Sequence, residues 1–182
     1  MAGLITDRLI LRRWREEDHA PFAAMNADPR VMEFMPKRLS REESDRMIDR
    51  MEAGFEQRGF GLYAAELRVD GSFLGFIGLS VPAFESAFTP CVEIGWRLAS
   101  QVWNRGLATE GARAVVGESF GRLGLASLVS FTAKQNAASQ RVMQKLGMTC
   151  DPAEDFDHPN LPEGHPLRRH VLYRLRRAGS DG

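Results

Sequence analysis

Cysteine is scarce in this chain: Cys91 and Cys150 are the only two in 182 residues. Two thiols cannot build a disulfide framework and their separation matches no metal-ligand spacing, which argues against a cross-linked secreted scaffold and for a reducing cytosol. Each is expected to behave as a small buried hydrophobe. An excess of one charge is also missing, since Lys plus Arg and Asp plus Glu both total 24. Without a global basic field, the chain has no electrostatic means of collecting nucleic acid or an anionic membrane surface. Long apolar runs are absent too. The longest, residues 73–81, is short and broken by Gly75 and Gly78, and no apolar stretch follows a basic start. Neither a bilayer span nor a secretory signal is expected. His19, His158, His165 and His170 match no metal motif in their spacing, so no metal site is expected.

What remains is ordinary globular material, with 43% hydrophobic and 26% charged residues and no internal linker or repeat. The expected organisation is one domain over residues 1–182, with a core of about 8–176 and a short flexible C-terminal tail.

The most informative stretch begins Val92-Glu93-Ile94-Gly95-Trp96-Arg97-Leu98. Ile94, Trp96 and Leu98 alternate with Glu93, Gly95 and Arg97, which predicts a strand with one core face and one face available for chemistry. After a tight loop, Ala108, Ala112, Val115, Val116, Ser119, Phe120 and Leu123 recur at helical spacing, with Gly124 as the expected stop. The intervening Asn104, Arg105 and Gly106 sit where free backbone N–H groups and the positive helix end converge, a natural phosphate cradle. Neither G-x-x-x-x-G-K-[ST] nor G-x-G-x-x-G is present, so the common nucleotide loops are not the explanation.

Trp103-Asn104-Arg105-Gly106-Leu107-Ala108 resembles the coenzyme A loop of the GNAT superfamily of N-acetyltransferases, Q/R-x-x-G-x-G/A. Trp103 departs from the first position. The flanking E-I-G-W-R-L and G-L-A-T-E-G-A resemble the subgroup of ribosomal-protein N-terminal acetyltransferases and their small-molecule relatives, in which an aromatic commonly precedes the loop. A second block, Asn136 to Met148, resembles the family segment N-x-x-S-x-x-x-x-x-K-L-G-F, with Met148 in the Phe place. The resemblance implies an α+β fold: a mixed, mostly antiparallel central sheet of about seven strands with a splayed pair, and about four helices on its faces.

The rest of the chain can be read in order. Residues 8–14 suit a first strand, and Glu16-Glu17-Asp18 the opening of a helix through Phe22 and Met25, stopped by Asp28-Pro29. Residues 31–35 suit another helical turn. Ser40 and Glu43 form a capping box for a helix over about 41–57, with Met47, Ile48, Met51 and Phe55 on one face. Residues 60–68 and 72–80 flank an Asp70-Gly71 turn as a hairpin, and Gly75 and Gly78 hint at a bulge or close backbone approach. Residues 128–132 and 167–175 suit the last strands. Residues 151–166 read as a Pro-rich loop. By the resemblance that loop lies beside the acceptor site, where Glu154, Asp155, Asp157, His158, Glu163 and His165 would meet a cationic amine.

The implied activity is acetyl transfer from acetyl-CoA to a primary amine, on a small molecule or a protein N-terminus, by direct attack in a ternary complex. It needs a proton acceptor, a polarised carbonyl and a proton for the leaving thiolate. Glu93 matches the family's water-activating glutamate, or else it pairs with a neighbouring cation such as Arg97. Gly95 leaves room for the cofactor on the same face. A backbone amide of Arg97 or Leu98, on a strand continuous with Trp96, would hold the acetyl carbonyl. Asn104, Arg105, Gly106, Leu107, Ala108 and Thr109 form the implied diphosphate cradle. Asn136 would bond the pantetheine arm or serve only as a helix cap, and Ser139 would donate the proton or merely bond nearby backbone. Lys145 is a further cofactor contact or a solvated helix end. The alternative is a non-catalytic acyl-CoA-binding sensor or assembly module. The state of assembly implied is a monomer or homodimer.

Overall fold

The computed structural model describes residues 3–179. Its strands are β1 (Leu4–Ile5) and β2 (Leu9–Arg12), which precede helices α1 (His19–Ala27) and α2 (Arg41–Arg58). The hairpin β3 (Leu62–Leu67) and β4 (Phe73–Ser80) follows, then β5 (Glu93–Leu98) and α3 (Leu107–Phe120). The chain continues through β6 (Ser127–Ala133), α4 (Ala137–Lys145), β7 (Thr149–Cys150), β8 (Phe156–Asp157) and β9 (Arg169–Arg176). All join one mixed, mostly antiparallel sheet in the order β1-β2-β3-β4-β5-β6-β9-β7, with β8 also on β9.

Among the described residues, nine strands replace the expected seven or so. The additional ones, β1, β7 and β8, are two residues long, too short for alternation to announce them. Residues 31–35 form turns rather than a helical segment. Helix α3 stops at Phe120, earlier than Gly124: the Leu123 and Leu125 amides fold back onto the Glu118 and Ser119 carbonyls, so the last turn widens and the ladder ends. Cys91 is half-buried and Cys150 exposed, so neither is a fully buried hydrophobe.

Local chemistry accounts for the elements that carry the site. At the start of α2, the Glu43 amide donates to Ser40 Oγ at 3.2 Å and the Ser40 amide to Glu43 Oε2 at 2.8 Å, while Gly59 (φ 72) ends the helix. The β3–β4 turn is fixed by Asp70 Oδ1, which accepts from the Ser72 amide at 2.9 Å, and by Gly71 at φ 74. Between these strands the register shifts at Ala65/Glu66, opposite Gly75 (φ 129). A Cβ at Gly75 would lie 2.1 Å from the Arg97 carbonyl oxygen, so this bulge requires glycine.

Two apolar layers cover the sheet. One, with Leu9, Ile77, Leu79, Ile94 and Leu98, packs against Leu107, Ala112 and Val115 of α3 and Met143 of α4. The other joins Ala64 and Phe76 to Phe22 and Met25 of α1 and Ile48 and Met51 of α2. On that second face, Arg12 is buried between Asp18 and Glu66, each 2.6 Å away, and pins β2, the turn before α1 and β3 together.

The sheet is not continuous. Strands β5 and β6 run parallel and register only at Glu93 and Val129, where the Val129 amide donates to the Val92 carbonyl at 2.9 Å. Beyond that point they part.

Candidate active site

The site is built where the two strands separate. The Val92 carbonyl points to β6 and the Ala99 amide to Leu74, next to the start of β4 (2.8 Å). Strand alternation between these anchors turns the backbone of Glu93, Gly95 and Arg97 toward β4, and that of Ile94, Trp96 and Leu98 toward β6. With β6 splayed away, the N–H groups of Trp96 and Leu98 face the gap. Of the two amides expected to hold a carbonyl, Arg97's therefore belongs to the β4 ladder, and Leu98's faces the opening. The Leu98 carbonyl accepts from Trp103 Nε1 at 2.8 Å, which folds the following loop against the strand end.

That loop uses two left-handed residues, Asn104 (φ 60) and Gly106 (φ 79). Asparagine and glycine are the residues that accept this conformation at least cost. They turn the chain so that α3 begins with no side chain capping its first amides. The one acid in its first turn, Glu110, is drawn away: Thr6 Oγ1 and Arg8 Nε each donate to it at 2.6 Å, and the Arg8 amide at 2.8 Å. The result is a helix end with free N–H groups, a positive dipole and no nearby uncompensated carboxylate, which fits the diphosphate of a nucleotide thiol.

A cavity of about 860 Å³ runs from this helix end through the gap to the α1/α2 side of the sheet. Glu93, Trp96, Arg97, Leu98, Asn104, Gly106, Leu107, Ala108, Thr109, Asn136 and Ser139 all line it. Arg105 does not: its side chain is exposed and its carbonyl accepts from Arg8 Nη1 at 2.9 Å. Gly95 leaves the floor open, since a Cβ there would meet nothing within 4 Å except Glu93 Oε1 at 3.9 Å.

Glu93 does not pair with Arg97. Its bond is with Ser80, whose Oγ donates to Oε2 at 3.0 Å. Burial with no cation beside it pushes its pKa up to about 7, and the Ser80 bond pulls the other way. Part of its surface still meets the cavity, so the acid is surrounded by protein yet reachable from the cleft.

Asn136 caps α4, accepting from the Ser139 amide at 3.2 Å, while its Nδ2 donates to Thr132 Oγ1 at 3.0 Å and to Ser139 Oγ at 3.2 Å. Because Ser139 Oγ accepts here, its own proton remains available toward the cavity. Lys145 lines the cavity as well.

The 151–166 connection behaves differently from expectation. Glu154 pairs with Arg174, Asp155 with Lys134, and Asp157 with Arg168 and Arg169. None of these acids, nor Glu163, lines the cavity. His165 does not line it either, and its Nδ1 accepts from the Leu167 amide at 3.1 Å.

His158 does line it, together with His170, weighed in the sequence only as a metal ligand, and Phe131, which sequence reasoning did not single out. The His158 and His170 rings lie 4.9 Å apart within a cluster completed by Phe84, Phe88 and Phe156. Burial lowers the pKa of both histidines, and His170 adds to the effect on His158. Ser80 was also missed. Its signal was faint, a hydroxyl at the end of the strand paired with β5. Among the described residues no group of three or more His, Cys, Asp or Glu is arranged to hold a metal ion, and no helix is long and apolar enough to cross a membrane.

Residues 8–149 match the family model of the acetyltransferase (GNAT) domain. Fold and family together make this protein an acetyltransferase enzyme. The chain belongs to the GNAT family. It is similar to the uncharacterised protein YkkB of Bacillus subtilis (strain 168), at 30% identity over 146 residues, or 80% of this chain and 84% of that one. Among solved structures it resembles the acetyltransferase from Agrobacterium tumefaciens str. C58, with a TM-score of 0.78 and 27% identity over 97% of this chain and 95% of that chain. It also shares the fold of RimL, a ribosomal L7/L12 alpha-N-protein acetyltransferase solved in complex with coenzyme A. There the TM-score is 0.75 and the identity 14%, over 94% of this chain and 96% of the other.

Proposed function

We propose that this protein moves the acetyl group of acetyl-CoA to a primary amine, on a small molecule or a protein N-terminus, by direct attack with both substrates bound. The observation that carries the reading is the single cavity joining Glu93, through the open sheet, to the uncapped start of α3. Acetyl-CoA supplies the activated thioester. The amides of residues 106–109 hold the diphosphate, with Asn104 and the close approach allowed by Gly106 and Ala108, and Asn136 bonds the pantetheine arm. The coenzyme A bound to RimL, a protein of the same fold, supports this assignment.

Glu93 takes a proton from the bound ammonium, directly or through one water, and so frees the nitrogen lone pair for attack. A carboxyl with a pKa near 7 is half-ionised at neutral pH, the condition under which a general base is both available and strong enough. The Leu98 N–H faces the gap where the acetyl oxygen gains negative charge, and a fixed dipole there needs no reorganisation during reaction. As the C–S bond breaks, Ser139 donates its proton to the departing thiolate and regains one from the nitrogen of the adduct, so that amide, free thiol and neutral hydroxyl remain. In this reading the chain is one catalytic domain of the cytosol, related in plan to the ribosomal-protein acetyltransferases.

The test combines calorimetric binding of acetyl-CoA with thiol release on addition of a panel of amines. Micromolar binding and amine-dependent thiol release are expected. Failure of acetyl-CoA to bind or to raise the melting temperature at millimolar concentration overturns the reading.

A further inference from the structure

Resting on the function proposed above, we infer that the amine acceptor also carries a carboxylate, and that the side chain of Arg97 is its receptor. Arg97 projects from β5 onto the same face as Glu93, away from α3 and the diphosphate cradle. Its Nη1 donates to Asn26 Oδ1 of α1 at 2.8 Å and its Nη2 reaches Met35 Sδ at 3.1 Å. The guanidinium stands 5.3 Å from the centre of the Phe76 ring. These contacts hold it in place, yet none of them is with an anion. Among the described residues no carboxylate lies within ion-pair distance of it.

The other inward-facing guanidinium of this layer, Arg12, has two carboxylates at 2.6 Å. Arg97 has none, although burial strips enough water from it to pull its pKa down to about 10. Desolvating a cation without a partner is unfavourable, and proteins seldom retain one without a use. Neutral contacts with an amide oxygen, a thioether and a ring leave guanidinium N–H donors unused, and Arg97 lines the cavity.

The remaining cations on the cavity wall are poorer candidates. Arg30 is exposed and paired with Asp28 at 2.9 Å. Arg141 and Lys145 are exposed and belong to α4, beside the gap that the cofactor reading uses. Among the described residues on the cavity wall, Arg97 is the cation that combines partial burial, fixation and the α1/α2 side of the sheet.

The register gives the acceptor a size. Glu93 and Arg97 lie four positions apart on one face, so their Cα atoms are separated by roughly 13 Å. Glu93 leans toward Gly95, its Oε1 3.9 Å from where a Cβ there would lie, which leaves a span of several bonds between the amine at Glu93 and the carboxylate at Arg97. The acceptor class is therefore a small amino-carboxylate, with its ammonium at Glu93 and its acid at Arg97 in a planar, charge-assisted pair.

The experiment uses ω-amino acids of increasing chain length, the matching ω-amino carboxamides and the matching n-alkylamines. Thiol release from acetyl-CoA gives kcat/KM, and calorimetry with coenzyme A present gives acceptor binding without requiring turnover. Wild type is expected to favour the best acid over its carboxamide by at least tenfold in either measure. Arg97→Gln is expected to reduce that preference to within about threefold, mainly through KM, with acetyl-CoA affinity unchanged. Arg97→Lys should restore part of it.

Equal use of acid and amide by wild type overturns the inference. So does an Arg97→Gln variant that slows every amine alike, which marks a purely structural arginine, or one that loses acetyl-CoA affinity, which marks a cofactor contact. Amines that react without regard to a carboxylate leave the acetyltransferase reading standing. Loss of acetyl-CoA binding in wild type removes that reading itself.

Discussion

Glu93→Gln separates the catalytic from the structural consequences of burying an acid. The carboxyl has a pKa of about 7 in the folded protein, against 4.5 when unperturbed. Below pH 4.5 the group is protonated in folded and unfolded chains alike and affects neither. Between pH 4.5 and 7 the unfolded chain gives up a proton that the folded one retains, so wild-type stability falls as pH rises through this window. At ~1.4 kcal/mol per pKa unit, the full cost above pH 7 is roughly 3 kcal/mol. Glutamine fills the same space, accepts the Ser80 bond and never ionises. The variant should therefore melt higher than wild type at pH 8, by roughly 6–12 °C for a chain of this size, and the advantage should vanish near pH 4.5. Turnover should move the other way, with kcat/KM down by about 10²- to 10⁴-fold and its rising limb near pH 7 abolished. The assays are thermal melting of the ligand-free protein from pH 4.5 to 8 and thiol release over the same range. A stability difference independent of pH would refute the burial argument, and a rising limb that survives in the variant would refute the assignment of the base.

Ser80→Ala removes the hydrogen bond that opposes the upward shift of Glu93, so the pH limb of kcat/KM should move to higher pH. An unmoved limb would separate Ser80 from the base. A Cβ at Gly95 meets no atom closer than 3.9 Å in the protein alone, so for Gly95→Ala the melting temperature should hold while acetyl-CoA affinity and turnover fall. Retained turnover would mean that substrates do not pass over Gly95. Arg12→Met leaves Asp18 and Glu66 buried without their guanidinium and should cost roughly 3–5 kcal/mol in urea unfolding. A loss below about 1 kcal/mol would show that the carboxylates find other partners or water.

How legible the sequence was depended on the distance over which each interaction acts. The Ser40–Glu43 box, the Asp70-Gly71 turn, the alternation of 93–98 and the Asn136 cap are encoded within a few residues, and each appears where the pattern puts it. The loop around Gly106 was legible from its place between strand and helix and from its motif, and the left-handed Asn104 and Gly106 are residues that suit that conformation. Partners that meet across the sheet left no local trace. Ser80 and Glu93 are 13 positions apart, and Arg97 and Asn26 are 71 apart. The acids of 151–166 looked available for a cation because their partners are set by β9 and the end of β6. Leu123 keeps helical spacing while its amide already turns back to Glu118, so periodicity alone extends helix α3 past its true end.

The single register point between β5 and β6 has a bearing on how this enzyme avoids unwanted association. A strand with unanswered amides on the outside of a protein invites another protein's strand and, with it, aggregation. Here the unanswered amides of Trp96 and Leu98 lie inside the sheet, between β5 and β6, out of reach of a neighbouring sheet, and in the proposed function they meet one slender chain that carries amide groups of its own. A defect that would be dangerous at the rim becomes, in the interior, a filter on what enters.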